Sequence, residues 1–359
     1  MPDPTLPSPA PWLIRVPEVF AEMETEIIAE LDAAKLKKIG REFFLIRIAE
    51  PALIHDSQAA KFLRWNLPMH HMWPCCPKDT PGFVEKAAQA LWRKFGEQNP
   101  QTVLIGPLDA DASNRYYRTL ASNLRGRTLQ LFPPQAGAIR DAEAQHSTAP
   151  TLFCLLGEEG LFCGMHSPQA AHGFHPGGTR FIRQNTPGMI SRAGAKIAEA
   201  LHHLALYRDV PAVGSHWLEL GASPGGMTAE LLARQYRVTA VDRAPLDARL
   251  KGAVCLQAVC MDAAYFRPEA GTVHDAILSD MNGDARESIT QVARLSENLR
   301  QNGLVVFTLK TPGVTTFGEI NQLAASVMEI ARAAGLRQIA MTHLTYNRHE
   351  FTVIFERMA

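Results

Sequence analysis

The segment HWLELGASPGGMTAELL, residues 216–232, constrains the fold of this chain more than any other stretch. An apolar run ends at Leu220, glycines follow at Gly221, Gly225 and Gly226, and apolar residues at helical spacing start at once. A strand that enters a tight glycine turn and leaves it as a helix is the first half of a βαβ unit. The second half is VTAVD, a strand ending on Asp242, 21 residues after Gly221. Glycines let the main chain turn sharply and let a ligand approach the backbone, and a carboxylate at the second strand's end can accept both hydroxyls of a nucleoside ribose. That arrangement serves NAD and S-adenosylmethionine equally. The loop is not G-x-G-x-x-G, which weakens the dinucleotide reading. Asp262 begins the loop after the third strand, where it could reach an adenine amino group.

The regular pattern continues to the end of the chain. Strands are expected at 216–220, 237–241, 253–258, 274–279, 303–309, 338–344 and 350–356, separated by helices near 191–207, 225–234, 285–300 and 317–334. Strands alternating with helices imply a doubly wound parallel sheet, and the last two strands imply an antiparallel hairpin at its edge. The N-terminal half is less regular. Strands are expected at 12–16, 43–48, 102–106 and 128–132, helices at 18–34, 82–95 and 113–124, an exposed loop over 133–150 and a hairpin within 152–165. A length of 359 residues calls for two or three folding units.

Composition excludes several classes. With 46% hydrophobic and 20% charged residues the chain is globular and not disordered. Lys plus Arg and Asp plus Glu number 36 each, so no uniform basic field coats nucleic acid. Two acid-free basic runs stand out: NRYYRTLASNLRGR with Arg115, Arg118, Arg125 and Arg127 among tyrosines, and residues 171–198 with Arg180, Arg183, Arg192 and Lys196. Guanidinium groups beside aromatic rings suit an RNA backbone and its bases; a solvated face is the plainer interpretation. No apolar run approaches the ~20 residues of a membrane span. The first residues lack a basic n-region and an apolar h-region, so a cytoplasmic location is expected. The six cysteines form no C-x-x-C pair and read as buried or free thiols, and no metal site is expected.

ELGASPGG followed by VTAVD resembles the first two motifs of the FtsJ-like S-adenosylmethionine-dependent ribose 2′-O-methyltransferases. ISRAGAKIAEAL resembles the helix with that family's first lysine, LSDMNGD its aspartate motif, VVFTLK its second lysine and NRHEFTVIF its glutamate strand. The resemblance covers about residues 175–359 and implies a Lys-Asp-Lys-Glu tetrad of Lys196, Asp280, Lys310 and Glu350. It also implies a cofactor, S-adenosylmethionine, bound by Gly221, Ser223, Pro224, Gly225, Gly226, Asp242, Asp262 and Asp280. Met227 stands where the family usually has an aromatic residue, and Ala193 where it has a serine. The layout ahead of this domain is similar to the ribosomal RNA large-subunit methyltransferase M family, which methylates a cytidine ribose in large-subunit ribosomal RNA. The fold class implied is α/β, a Rossmann-like, doubly wound, mostly parallel sheet of the class I methyltransferase kind. The implied divisions are a ferredoxin-like domain at 1–75, a THUMP-like RNA-binding domain at 76–170, a linker at 171–190 and the methyltransferase domain at 191–359.

A ribose 2′-hydroxyl is a poor nucleophile until its proton is removed or oriented. Lys310, at the end of a strand apolar from Leu304 to Phe307, is the expected general base, and Lys196 the orienting second cation. Asp280 and Glu350 balance the two ammonium groups, because unpaired buried charges are costly. The expected partner is RNA, large-subunit ribosomal RNA or its precursor, with no membrane and no obligate protein partner. Three rivals share parts of this pattern: a methyltransferase of tRNA or an mRNA cap, a non-catalytic RNA-binding assembly factor, and a small-molecule methyltransferase. The last leaves the N-terminal half without a role.

Overall fold

The computed structural model describes residues 10–109, 115–137, 142–180, 182 and 188–358. The chain divides into two compact units, Met1–Arg180 and Phe181–Ala359.

The first unit holds two four-stranded sheets. One comprises β1 (Ala10–Arg15), β2 (Ala33–Ile39), β3 (Phe43–Ile48) and β4 (Trp65–Pro68), with α1 (Glu24–Glu30) and the one-turn α2 (Leu53–Asp56) in its connections. Its order is β2-β3-β1-β4, all antiparallel. The other comprises β5 (His71–Trp73), β6 (Thr102–Pro107), β7 (Thr151–Gly157) and β8 (Gly160–His166), ordered β5-β8-β7-β6 with β6 parallel to β7. The expected hairpin is β7–β8, closed at the pair Gly157 and Gly160. α3 (Phe83–Phe95) and α4 (Arg115–Leu131) cover this sheet through Leu91, Phe95 and Leu124 against Val103, Cys154 and Leu156.

Two expectations fail here for identifiable reasons. The helix expected over 18–34 stops at Glu30; Asp32 takes a left-handed φ of 46° and β2 follows. β2 is an edge strand whose five central residues are all exposed, so it carries no hydrophobic alternation to read. The strand expected at 128–132 belongs to α4, whose Ala121, Leu124 and Thr128 are buried at helical spacing.

The second unit is one seven-stranded sheet of β9 (His216–Leu220), β10 (Arg237–Asp242), β11 (Leu256–Cys260), β12 (His274–Ser279), β13 (Leu299–Lys310), β14 (Leu336–Thr342) and β15 (Glu350–Arg357). Its order is β11-β10-β9-β12-β13-β15-β14, with the first five strands parallel. β15 runs antiparallel between β13 and β14, so the expected terminal hairpin is present and its second strand lies inside the sheet. α5 (Gly194–Leu204) and α6 (Gly226–Ala233) seal one face, with Ile197, Leu201 and Leu231 against Trp217, Leu278, Val306 and Ile354. Leu218, Ile277, Val305 and Phe307 are buried on the alternate face. α7 (Ala285–Leu295) and α8 (Phe317–Ala333) bury Ile289, Val292, Leu323 and Val327. The strand order reverses between β9 and β12, which opens a crevice at the carboxyl ends of these strands, where such sheets hold ligands. Among the described residues no helix is long and apolar enough to cross a membrane.

Candidate active site

Four elements deliver the sequence-assigned charges to that carboxyl edge. Asp280 follows the last residue of β12, Lys310 is the last residue of β13, and Lys196 sits in the first turn of α5. Glu350 opens β15, and because β15 runs antiparallel its first residue lies beside the end of β13, directly opposite Lys310. Asp280 bridges the two lysines, with Oδ1 3.2 Å from Lys310 Nζ and Oδ2 3.7 Å from Lys196 Nζ. Lys196 Nζ also pairs with Glu350 Oε1. The result is a chain of alternating sign, Lys310, Asp280, Lys196, Glu350, with side-chain exposures of only 10–20%.

The glycine turn lies against the same edge. Gly221 has φ +79°, and a Cβ there would fall 2.8 Å from the backbone nitrogen of Met281. Gly225 has φ +106°, and a Cβ there would press on Leu250 at 2.4 Å. At Gly226 a Cβ would strike Ser191 Oγ at 2.0 Å, so the turn is packed to the width of bare main chain. The Ser223–Pro224 peptide is cis. Asp242 holds the turn from below: its Oδ2 accepts from Ser223 N at 2.9 Å and its Oδ1 from Ala244 N at 2.8 Å. An ionised carboxylate offers about four acceptor positions, so about two remain for a ligand. Asp262 sits after β11, its Oδ1 accepting from Ala264 N at 2.9 Å. Beneath the turn, Glu219 is 2% exposed and accepts a 2.7 Å hydrogen bond from Thr228 Oγ1. Burial, aided by the Asp280 and Asp242 charges, pushes its carboxyl up to about 8.

Residues 189–338 match the family model of the FtsJ-like methyltransferases. Over these residues the second unit is similar to the FtsJ-like methyltransferases. The chain is 33% identical over 171 residues to ribosomal RNA large subunit methyltransferase M of Halorhodospira halophila, covering 47% of this chain and 48% of that one. The protein of the same name from Shewanella loihica is 29% identical over 171 residues, covering 45% and 46%. The matched region spans about half the length of these relatives.

Sequence reasoning missed the side chains that brace the second unit's charged chain. Asn282 Oδ1 accepts from Lys310 Nζ at 2.6 Å. Asn347 donates to Glu350 Oε1 at 3.3 Å, and its own Oδ1 accepts from Leu344 N at 2.7 Å and Thr352 Oγ1 at 3.2 Å. Glu199, one turn after Lys196 on α5, is 2% exposed and accepts from Thr345 N at 3.0 Å and Tyr346 N at 3.3 Å. The helix that carries Lys196 thereby also fixes the loop that leads to Glu350. Asn282 and Asn347 lie within three residues of motif residues, which was the one signal available for them. Met227 is 4% exposed in the core of the domain, where an unbranched apolar side chain fills the space.

The arginines separate into groups. Arg115 and Arg118 are exposed on α4, and Arg192 is exposed just ahead of α5. Arg125 is half-buried and donates to the Val103 carbonyl at 2.9 Å, which ties α4 to β6. Arg127 donates to both Glu85 oxygens, at 2.6 and 3.1 Å, joining α4 to α3. Arg125 and Arg127 thus take part in helix packing, whereas Arg115 and Arg118 stand exposed. Lys78 Nζ lies 5.3 Å from the Tyr116 ring centre and 5.4 Å from that of Tyr117, and Tyr116 is exposed. Arg180 pairs with Glu143 at 2.8 Å. Arg183 lies outside the described residues, as do 181 and 184–187 of the expected linker and residues 1–9 of the expected first domain.

Proposed function

We propose that this protein is an RNA ribose 2′-O-methyltransferase that takes its methyl group from S-adenosylmethionine and acts on a cytidine of large-subunit ribosomal RNA or its precursor. The observation that carries this reading is the alternating chain Lys310, Asp280, Lys196, Glu350 beside a glycine turn packed to the width of main chain. The turn is the part that would hold the cofactor: Gly221, Gly225 and Gly226 keep its main chain free of side chains, and Ser223 and Pro224 complete it. Asp242 takes its ribose hydroxyls with the acceptor positions still open, and Asp262 takes the adenine amino group. Asp280 stands at the junction of cofactor and substrate. S-adenosylmethionine bound there supplies an electrophilic methyl group.

The chain's own residues handle the proton. In its neutral amine form Lys310 Nζ takes the proton of the ribose 2′-hydroxyl as the oxygen's electron pair bonds to the methyl carbon, with the pair of the carbon–sulfur bond leaving on the sulfur. Lys196 orients the hydroxyl and spreads positive charge along the edge. Asp280 and Glu350 hold both ammonium groups in place and neutralise them, which a half-buried site requires.

The N-terminal unit is assigned to RNA positioning. The strand order β2-β3-β1-β4 with α1 and α2 in the β1–β2 and β3–β4 connections supports a ferredoxin-like first module, and the helix-covered second sheet a THUMP-like one. The expected divisions 1–75 and 76–170 follow these modules except that β5 (His71–Trp73) pairs into the second sheet, and a linker at 171–190 leads to the catalytic domain at 191–359. Arg115, Arg118, Arg180, Arg183 and Arg192 contact the RNA backbone, and the protein works in the cytoplasm. The relatives' name supports the ribosomal substrate. Mapping ribose methylations in total RNA from cells with and without the gene tests the whole reading. Loss of methylation at one large-subunit cytidine is expected, and an unchanged map rejects it.

A further inference from the structure

We infer that Asn282 is a positioning residue for Lys310, holding the amine on its substrate-facing course as a neutral acceptor; this rests on the reading of Lys310 as the proton acceptor. Lys310 Nζ meets two oxygens, Asp280 Oδ1 at 3.2 Å and Asn282 Oδ1 at 2.6 Å. An ammonium carries three hydrogens and no lone pair, so an amide that faces it at this distance must present its oxygen. The Asn282 hydrogen bond thus fixes one tetrahedral position on Nζ while the Asp280 ion pair draws the amine toward β12, and in the neutral amine the lone pair is left for the hydroxyl. A free lysine side chain is otherwise rich in rotamers, and fixing its tip before substrate arrives removes that disorder from the reaction step.

The loop is built to hold this amide still. Asp280 N donates to Leu220 O at 3.0 Å, which pins the loop's start to β9. Gly283 takes φ +116°, and Asp284 then caps α7, its Oδ1 accepting from Arg286 N at 2.6 Å. Asn282 sits between these two anchors. Its neutrality matters because the edge already balances two cations with two carboxylates. The charged groups facing Lys310 are Asp280 from the end of β12, Lys196 from α5 and Glu350 from β15. A third carboxylate at position 282 would favour the ammonium, and loss of the acceptor would disfavour it.

The test compares the full chain with Asn282→Ala and Asn282→Asp. Acetylation of Lys310 by acetic anhydride across a pH series, read by peptide mass spectrometry, follows the amine without any need for activity. Half-acetylation is expected at lower pH in the alanine variant and at higher pH in the aspartate variant, each by about one pH unit. Methyl transfer should fall about tenfold in Asn282→Ala with cofactor affinity unchanged, while the acidic limb of the pH–rate profile moves up in Asn282→Asp. A purely structural role would not move the two variants in opposite directions. Identical acetylation profiles in all three proteins overturn the inference. If the wild type transfers no methyl group to RNA, the functional reading fails, and the acetylation series still decides whether Asn282 governs Lys310.

Discussion

Lys310 and Glu350 are directly opposite one another across the antiparallel pair β13–β15, and Asp280 and Lys196 close the set from β12 and α5. Register alone therefore keeps these two members together, since a slip of one residue between the strands would put their side chains on opposite faces. The flanking strand residues Phe307 and Leu309 are fully buried, so the core holds that register.

Lys310→Ala should abolish methyl transfer, by about 10² to 10⁴ in rate, with S-adenosylmethionine affinity nearly kept. Lys310→Arg should fail as well, because a guanidinium does not release its proton near neutral pH. Single-turnover assays on RNA beside calorimetry of cofactor binding make the comparison. Turnover near wild type in the alanine variant removes Lys310 from the base role.

Gly221→Ala should cost cofactor binding and about 1–3 kcal/mol of stability, from the φ of +79° and the clash with Met281. Gly252 has φ +85° with nothing within 4 Å of a Cβ, so Gly252→Ala separates the two effects. It should lose stability and keep cofactor affinity. Thermal denaturation and calorimetry on both variants decide, and equal cofactor affinity in the two would contradict the backbone cradle.

Glu219 makes a pH-dependent contribution with a definite sign. Its folded carboxyl titrates near 8 against an ordinary 4.5, so between these values the folded chain binds a proton that the unfolded chain has released. Stability from this group is full below the unfolded value and falls as pH rises through the folded one. Glu219→Gln keeps a neutral side chain facing Thr228 Oγ1. Urea denaturation from about pH 5 to about pH 9 should show wild type losing ground to the glutamine variant. A difference that stays constant with pH would show that Glu219 is ionised throughout.

The second unit was legible because its signals were local. Each tetrad residue sits at an element end marked by apolar strands or a helix start, and the glycine turn announces its own φ values. The N-terminal unit was less so. β2 is exposed on both faces, and the end of α4 carries apolar residues that fit either period over a short window. Asn282, Asn347 and Glu199 escaped notice for another reason. Their roles depend on which loop lies beside which strand end, and a single asparagine or glutamate carries no sign of that in sequence.

The arginines of α4 give the last prediction, in which position decides the phenotype. Arg115 and Arg118 are exposed, whereas Arg125 donates to the Val103 carbonyl and Arg127 to Glu85. Arg115→Glu with Arg118→Glu should leave stability nearly unchanged and weaken RNA binding. It should also reduce the slope of log affinity against log salt by about 0.7 for each phosphate of single-stranded RNA that is no longer neutralised. Arg125→Ala should instead cost about 1.5–3 kcal/mol of stability, the worth of a charged donor to a buried carbonyl, with little change in that slope. Filter binding across a salt series and chemical denaturation on the same proteins read both effects. If the double reversal leaves RNA affinity and its salt dependence intact, this face of α4 is a solvated surface and the RNA path runs elsewhere.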